Sequence, residues 1–173
     1  MGTDESGILF PILSQGAKSV QSGQYGEVGI DAAFRPFRVL TVDDNPEFHN
    51  ELQLFPRKER ILIRQHKLLS NGATVDFLYK DFSIGLTFPI ECKHQAGPGT
   101  TDEKLAFTLE VLASCGYNNF WLVLKGHGFR ERILRHMEKK VRKINEAFNL
   151  SGRIIYEELL YREIEQLVER GKP

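Results

Sequence analysis

Asp76, Glu91 and Lys93 lie on two consecutive stretches, TVDFLY and FPIECKHQ, that both read as strands around a tight turn. Two carboxylates supply hard oxygen ligands of the kind Mg²⁺ prefers, and a neighbouring ammonium can hold water or answer the charge that grows on a phosphate. These are the parts that metal-dependent hydrolysis of a phosphodiester requires. Successive side chains of a strand alternate faces, so Glu91, Lys93 and Gln95 share one face while Ile90, Cys92 and His94 take the other. On this pattern the Cys92 backbone carbonyl can add a metal ligand, and Gln95 can orient water or touch a phosphate.

The bare pattern of an acid, any residue and a lysine decides nothing, because it occurs three times: Glu91-Cys92-Lys93, Asp102-Glu103-Lys104 and Glu138-Lys139-Lys140. The last two fall on helical patterns, where such charges usually form a solvated face. Only the first lies in a strand with an acid on its hairpin partner. Spacing alone leaves an alternative open, a strand face decorated by ion pairs worth under about 1 kcal/mol each. The apolar character of both strands favours a place inside a sheet.

The elements that must position these residues can be read from pattern and punctuation. A helix is expected over Gln24 to Phe34, ended by Arg35-Pro36, since the residue before proline leaves the helical region. A short strand at Arg38 to Val42 opens an irregular stretch, and Arg60 to Gln65 alternates as a strand. The hairpin is expected as Thr74 to Tyr79, a turn at Lys80-Asp81, and Ser83 to His94, with Pro89 marking an edge position or a bulge. A helix over Thr101 to Ser114 follows, with Thr100 and Glu103 at capping-box spacing, Leu105, Leu109 and Leu112 as its buried stripe, and Gly116 beyond its end. Asn119 to Lys125 reads as a buried strand. Phe129 to Ala147 reads as a long helix with Ile133, Met137, Val141, Ile144 and Phe148 inward, followed by a strand at Arg153 to Tyr156 and a last helix to Arg170. The fold class is α/β, a mixed sheet covered by helices.

With 173 residues, 41% of them hydrophobic, the chain suits one domain, expected over residues 22–173 behind a flexible segment 1–21 rich in Gly, Ser and Gln. Lys plus Arg and Asp plus Glu are 23 each, so the overall field steers no polyanion and any such partner depends on local charge. Arg130, Arg132, Arg135, Lys139 and Arg142 concentrate on the long helix. Their stripe is either a phosphate-tracking surface or a solvated basic face. Gly126-His127-Gly128 ahead of it leaves backbone amides near a helix start, where phosphate can bind.

Cys92 and Cys115 lack paired spacing, and His49, His66 and His136 do not cluster at zinc-ligand spacing. No secretory pattern and no apolar run of the roughly 20 residues that span a bilayer is present, so a cytoplasmic protein without a membrane partner is expected. No P-loop, G-x-G-x-x-G or G-x-S-x-G pattern occurs, and no nucleotide cofactor is expected.

Val75-Asp76, Glu91-Cys92-Lys93-His94-Gln95, the helix opening GTTDEKL and the strand-loop FWLVLKGHGF together resemble the PD-(D/E)XK nuclease superfamily over roughly residues 22–157. The likeness is to its restriction-type and phage-associated members. The chain departs from the name-giving motif in having Val75, not proline, before Asp76. The resemblance implies a restriction-endonuclease-like mixed β-sheet flanked by helices with an αβββαβ core. It implies a metal-dependent DNA endonuclease using Mg²⁺, which Mn²⁺ may replace, with Asp76 and Glu91 on the metal, the Cys92 carbonyl as a further ligand and Lys93 on the water. Glu27 resembles the acid that many members carry on their first helix. Gln95 would support the site, and Lys104, His127 and the basic helix would hold DNA. A homodimer is compatible with one site cutting one strand. The same core serves junction-resolving and repair nucleases, and a non-cleaving DNA-binding or assembly module is the alternative of another class.

Overall fold

The computed structural model describes residues 29–44, 60–68, 70–97 and 101–170, and a six-stranded sheet runs through them. A helical stretch over residues 29–34 passes into a 3-10 turn at Arg35–Phe37. Then come β1 (Leu40–Asp43), β2 (Arg60–Lys67), β3 (Thr74–Asp81), β4 (Leu86–His94), α1 (Thr101–Ala113), β5 (Asn119–Lys125), α2 (Glu131–Phe148), β6 (Ser151–Tyr156) and α3 (Glu157–Glu169). The strands lie in sequence order: β1 is parallel to β2, β2 to β4 are antiparallel, and β4, β5 and β6 are parallel. This is the expected α/β architecture, a mixed sheet with flanking helices.

Strand periodicity divides the core into two layers. Ile30 and Phe34 of the helical stretch and Leu160 and Ile164 of α3 pack with Phe77, Ile90, Cys92, Trp121 and Val123. Leu105, Leu109 and Leu112 of α1 and Met137 and Val141 of α2 pack with Phe120, Leu122 and Leu124. The apolar run of β5 is explained by this sandwich: its five middle residues are buried because both faces are covered. Each fully buried Leu or Phe side chain contributes on the order of 1.5–3 kcal/mol. Among the described residues no helix is long and apolar enough to cross a membrane.

Three local expectations are corrected. The hairpin turn spans residues 82–85, while Lys80 and Asp81 remain paired in β3 with Thr87 and Leu86. Gly85, with φ 63°, provides the left-handed residue that closes the turn. Pro89 is on a central strand, not an edge: β4 lies between β3 and β5. Backbone N–H directions alternate along a strand, and Cys92 sends its N–H towards β3, so position 89 faces β5. The β5 ladder begins one residue later, at Ile90↔Trp121, which is why a missing N–H is tolerated. Phe148, expected inward, is exposed, because α2 ends there against a left-handed Asn149. The Thr100 and Glu103 capping pair lies outside the described side chains.

Candidate active site

The β3–β4 ladder runs from Asp81↔Leu86 to Phe77↔Ile90 and stops. Beyond that point β3 stays paired with β2 as far as Lys67↔Thr74, and β4 stays paired with β5 as far as His94↔Lys125. The two strands fork at Asp76 and Glu91. A fork leaves backbone donors that the ladder no longer satisfies, and two carboxylates take them. Asp76 Oδ2 accepts the Cys92 N–H at 2.7 Å, and Glu91 Oε2 accepts the Asp76 N–H at 3.2 Å.

A backbone irregularity sits on the other side of Asp76. The β2 residue that falls opposite it, between the pairs Arg64↔Phe77 and His66↔Val75, is Gln65, whose φ of 49° is left-handed. Strict alternation would put Val75 on the face of Phe77. It packs instead with Leu105, Leu109 and Leu112, while Phe77 stays in the opposite layer. Asp76 therefore sits where the strand twists between the two layers.

Lys93 completes the cluster. Its ammonium bonds Glu91 Oε1, with the two side chains only 26% and 13% exposed. Burial pulls the Lys93 pKa down, but the Glu91 and Asp76 carboxylates outweigh it and hold the group above the ordinary lysine value. Lys93 is thus a firm cation beside two carboxylates. The Cys92 thiol belongs to the other face, and burial, then the Asp76 charge, push it up to about 12. It stays a neutral thiol near pH 7.

Gln95 is buried, 4% exposed, and ties two loops together. Its N–H donates to the Lys125 carbonyl at 2.9 Å, its carbonyl accepts the Gly128 N–H at 2.8 Å, and its Nε2 donates to the Gly128 carbonyl at 2.9 Å. The loop after β5 consequently lies backbone to backbone on the loop after β4. A Cβ on Gly126, whose φ is 89°, would stand 2.6 Å from the Gln95 carbonyl oxygen, and one on Gly128 would stand 2.5 Å from the Gly97 nitrogen. The glycines are needed for this approach.

The geometry sorts the remaining candidates. Lys104 on α1 lines a cavity of about 270 Å³ together with Val75, Glu91, Lys93, Phe107 and Val111. Exposed His127 and Arg130 lie on the loop at the same end of the sheet, where β4 and β5 finish and α2 begins. Arg132 and Arg135 follow on the first turns of α2, Arg135 in an exposed 2.9 Å pair with Glu131. Lys139 and Arg142 are exposed on the same helix but run away from that end, Arg142 about 15 Å along the axis from Arg132. Glu27 lies outside the described residues. Ile30 and Phe34, three and seven residues further along the chain, are buried in the layer containing Cys92.

Two residues carried no sequence signal that singled them out. Asp31 accepts bonds from Thr41 of β1 and from Arg64 of β2 at 2.9 Å. Phe107 borders the cavity from α1, three residues after Lys104. Phe107 falls midway between Leu105 and Leu109, on the helix face opposite their stripe, where nothing in the sequence separates it from an ordinary exposed residue.

A mixed sheet whose central hairpin forks around two carboxylates, with a lysine two residues beyond the second, carries the residue pattern on which the sequence resemblance rests. A family model described as a PD-(D/E)XK nuclease superfamily domain matches residues 18–168. The chain belongs to the PD-(D/E)XK nuclease superfamily. Among curated proteins and among solved structures none matches it significantly.

Proposed function

We propose that the protein is a Mg²⁺-dependent endonuclease that hydrolyses phosphodiester bonds of DNA, of the restriction-type or phage-borne kind. The observation that carries this reading is the fork: Asp76 and Glu91 meet between parted strands, with the Lys93 ammonium bonded to Glu91.

The donor set suits a hard divalent ion. Asp76 and Glu91 offer carboxylate oxygens from adjacent strands, and no trio of His, Cys, Asp or Glu among the described residues forms a closed cage. Mg²⁺ commonly takes one or two carboxylates and leaves its other positions to water and phosphate oxygens. The Cys92 carbonyl is the third protein oxygen proposed. In a strand the N–H and C=O of one residue turn to the same neighbour, and the Cys92 N–H turns to Asp76. When bound, the ion supplies neutralisation of the phosphate oxygens and a more acidic water.

The chain's own residues do the rest. Lys93, bonded to Glu91, acts as a hydrogen-bond donor and cation towards the attacked phosphate and its water. Gln95 acts as a positioning residue. By pinning the loop 126–128 it fixes the end of β4, and with it the direction of Lys93. Lys104, His127, Arg130, Arg132 and Arg135 offer phosphate contacts around the C-terminal ends of β4 and β5, with Lys139 and Arg142 extending the basic face. A homodimer would place two such sites on two strands.

The test is cleavage of supercoiled plasmid and linear duplex with Mg²⁺, with Mn²⁺ or with EDTA, comparing wild type with Asp76→Asn. Cutting that needs the ion and falls by about 100-fold or more in the variant is expected, because the lost carboxylate is both ligand and strand clamp. Equal cutting by the variant, or cutting in EDTA, would remove the ion from the account.

A further inference from the structure

Phe107 is 68% exposed, although it lies on a helix that buries Leu105, Leu109 and Leu112 completely or nearly so. It borders the same cavity as Glu91 and Lys93, with Val75 and Val111 continuing the apolar wall and Lys104 one turn before it. Such an aromatic ring on the rim of a charged site has a cost in water and packs against no ring partner among the described residues.

We propose that Phe107 is a stacking platform for an unpaired base next to the scissile phosphate, so that the favoured substrate is a nucleic-acid segment with unstacked bases: a single strand, a flap or a branch. The inference rests on the nuclease reading of this site and, within it, favours a junction- or repair-type substrate over the duplex that a restriction-type enzyme cuts. The physical reason is what each form of DNA exposes. A duplex turns base edges outward and keeps base faces stacked inside, so a flat ring beside the catalytic cluster finds no face to meet. An unpaired base presents its π face and stacks on an aromatic side chain whatever its sequence. Lys104, at i and i+3 with Phe107, stands where it can hold a phosphate beside the stacked base, which suits an apolar ring flanked by a cation. The cavity of about 270 Å³ lies near the lower end of small-ligand pocket sizes, the scale of a nucleotide and not of a duplex.

Binding can be read without cleavage. Labelled single-stranded DNA, its RNA counterpart and the matching duplex are titrated by fluorescence anisotropy in EDTA against the full chain carrying wild-type Phe107, Phe107→Ala, Phe107→Leu or Phe107→Trp. A 2-aminopurine at successive positions reports stacking. Because Phe107 is exposed, the variants should keep the wild-type circular dichroism spectrum. Phe107→Ala should weaken binding of the unpaired strand by about 5- to 150-fold, the range measured for loss of one base-aromatic stack, and the duplex by much less. Phe107→Trp should retain it, and Phe107→Leu, apolar but without a π face, should not. The DNA and RNA arms show which strand the platform takes.

Equal losses on strand and duplex, no loss at all, or a wild type that does not bind unpaired strands would overturn the proposal. So would sedimentation showing that Phe107→Ala dissociates a dimer, since the ring would then be covered by a second copy. A protein that binds unpaired strands through Phe107 but cuts nothing keeps this inference and loses the nuclease reading. One that cuts duplex plasmid in Mg²⁺ with Phe107→Ala unaffected on every substrate does the reverse.

Discussion

Lys93 and Asp81 are both charged groups in confined places, and what surrounds each sets its role. Lys93 is bonded to Glu91 at the fork, where its proposed role is that of a cation towards substrate. Asp81 shows the opposite case, a carboxylate serving structure alone. Its side chain is 0% exposed, and it takes the Arg60 Nε at 2.8 Å and the Ser83 N–H at 3.0 Å. Burial would raise its pKa, but the Ser83 and Arg60 bonds prevail and hold it below 3.8. A depressed carboxylate stabilises the fold above its unfolded value, and that contribution disappears as pH falls through the folded value. Asp81→Asn should therefore cost about 1.5–3 kcal/mol near pH 7, because it weakens hydrogen bonds made to a buried charge. In urea unfolding the gap between variant and wild type should close below about pH 4, near the ordinary Asp value; a gap independent of pH would show that charge is not the cause. From sequence Asp81 looked like a turn residue, since nothing local announces a partner 21 positions away at Arg60.

At the scale of elements, the site depends on where two loops meet. The loops after β4 and β5 approach so closely that Gly128→Ala would put a methyl group 2.5 Å from the Gly97 nitrogen. Backbone must then move, and the end of β4 with Lys93 moves with it. The expected outcome is destabilisation of about 1–3 kcal/mol, read by thermal unfolding, with cleavage lowered by about 10-fold or more because catalysis is sensitive to displacements of about 1 Å. A variant that is destabilised but cuts normally would separate the loop contact from the site. Strand alternation made the hairpin legible, a continuous apolar run β5, and helical spacing α1, whose Leu105, Leu109 and Leu112 are buried as that spacing predicts. The turn was misplaced by two residues because Lys80-Asp81 is as polar as a turn while its pairing with Thr87 and Leu86 is not local information. Pro89 misled for a similar reason, since its tolerance depends on where the neighbouring ladder starts.

For the molecule as a whole, equal numbers of acidic and basic residues mean that local placement, not net charge, must hold a polyanion. The parallel β4, β5 and β6 bring strand ends, the 126–128 loop and the start of α2 to one side, and Lys104 lines the cavity beside Glu91 and Lys93. The sequence order of helices and strands was enough to recognise the α/β core, and Asp76, Glu91 and Lys93 were legible as a trio. The fork that brings them together was not, because it arises from two ladders ending at different residues. The parallel pairing of β1 with β2 was likewise hidden, as it joins residues far apart in sequence, from Leu40↔Ile61 to Asp43↔Arg64, with no local signal of register. The most direct test of the account is single-turnover cleavage of DNA in Mg²⁺ by wild type and Lys93→Ala, with binding of the same DNA measured alongside. The account predicts a loss of cleavage of about 100- to 1,000-fold, as for removal of one transition-state donor, with binding within a few-fold of wild type. Undiminished cleavage by Lys93→Ala would contradict it.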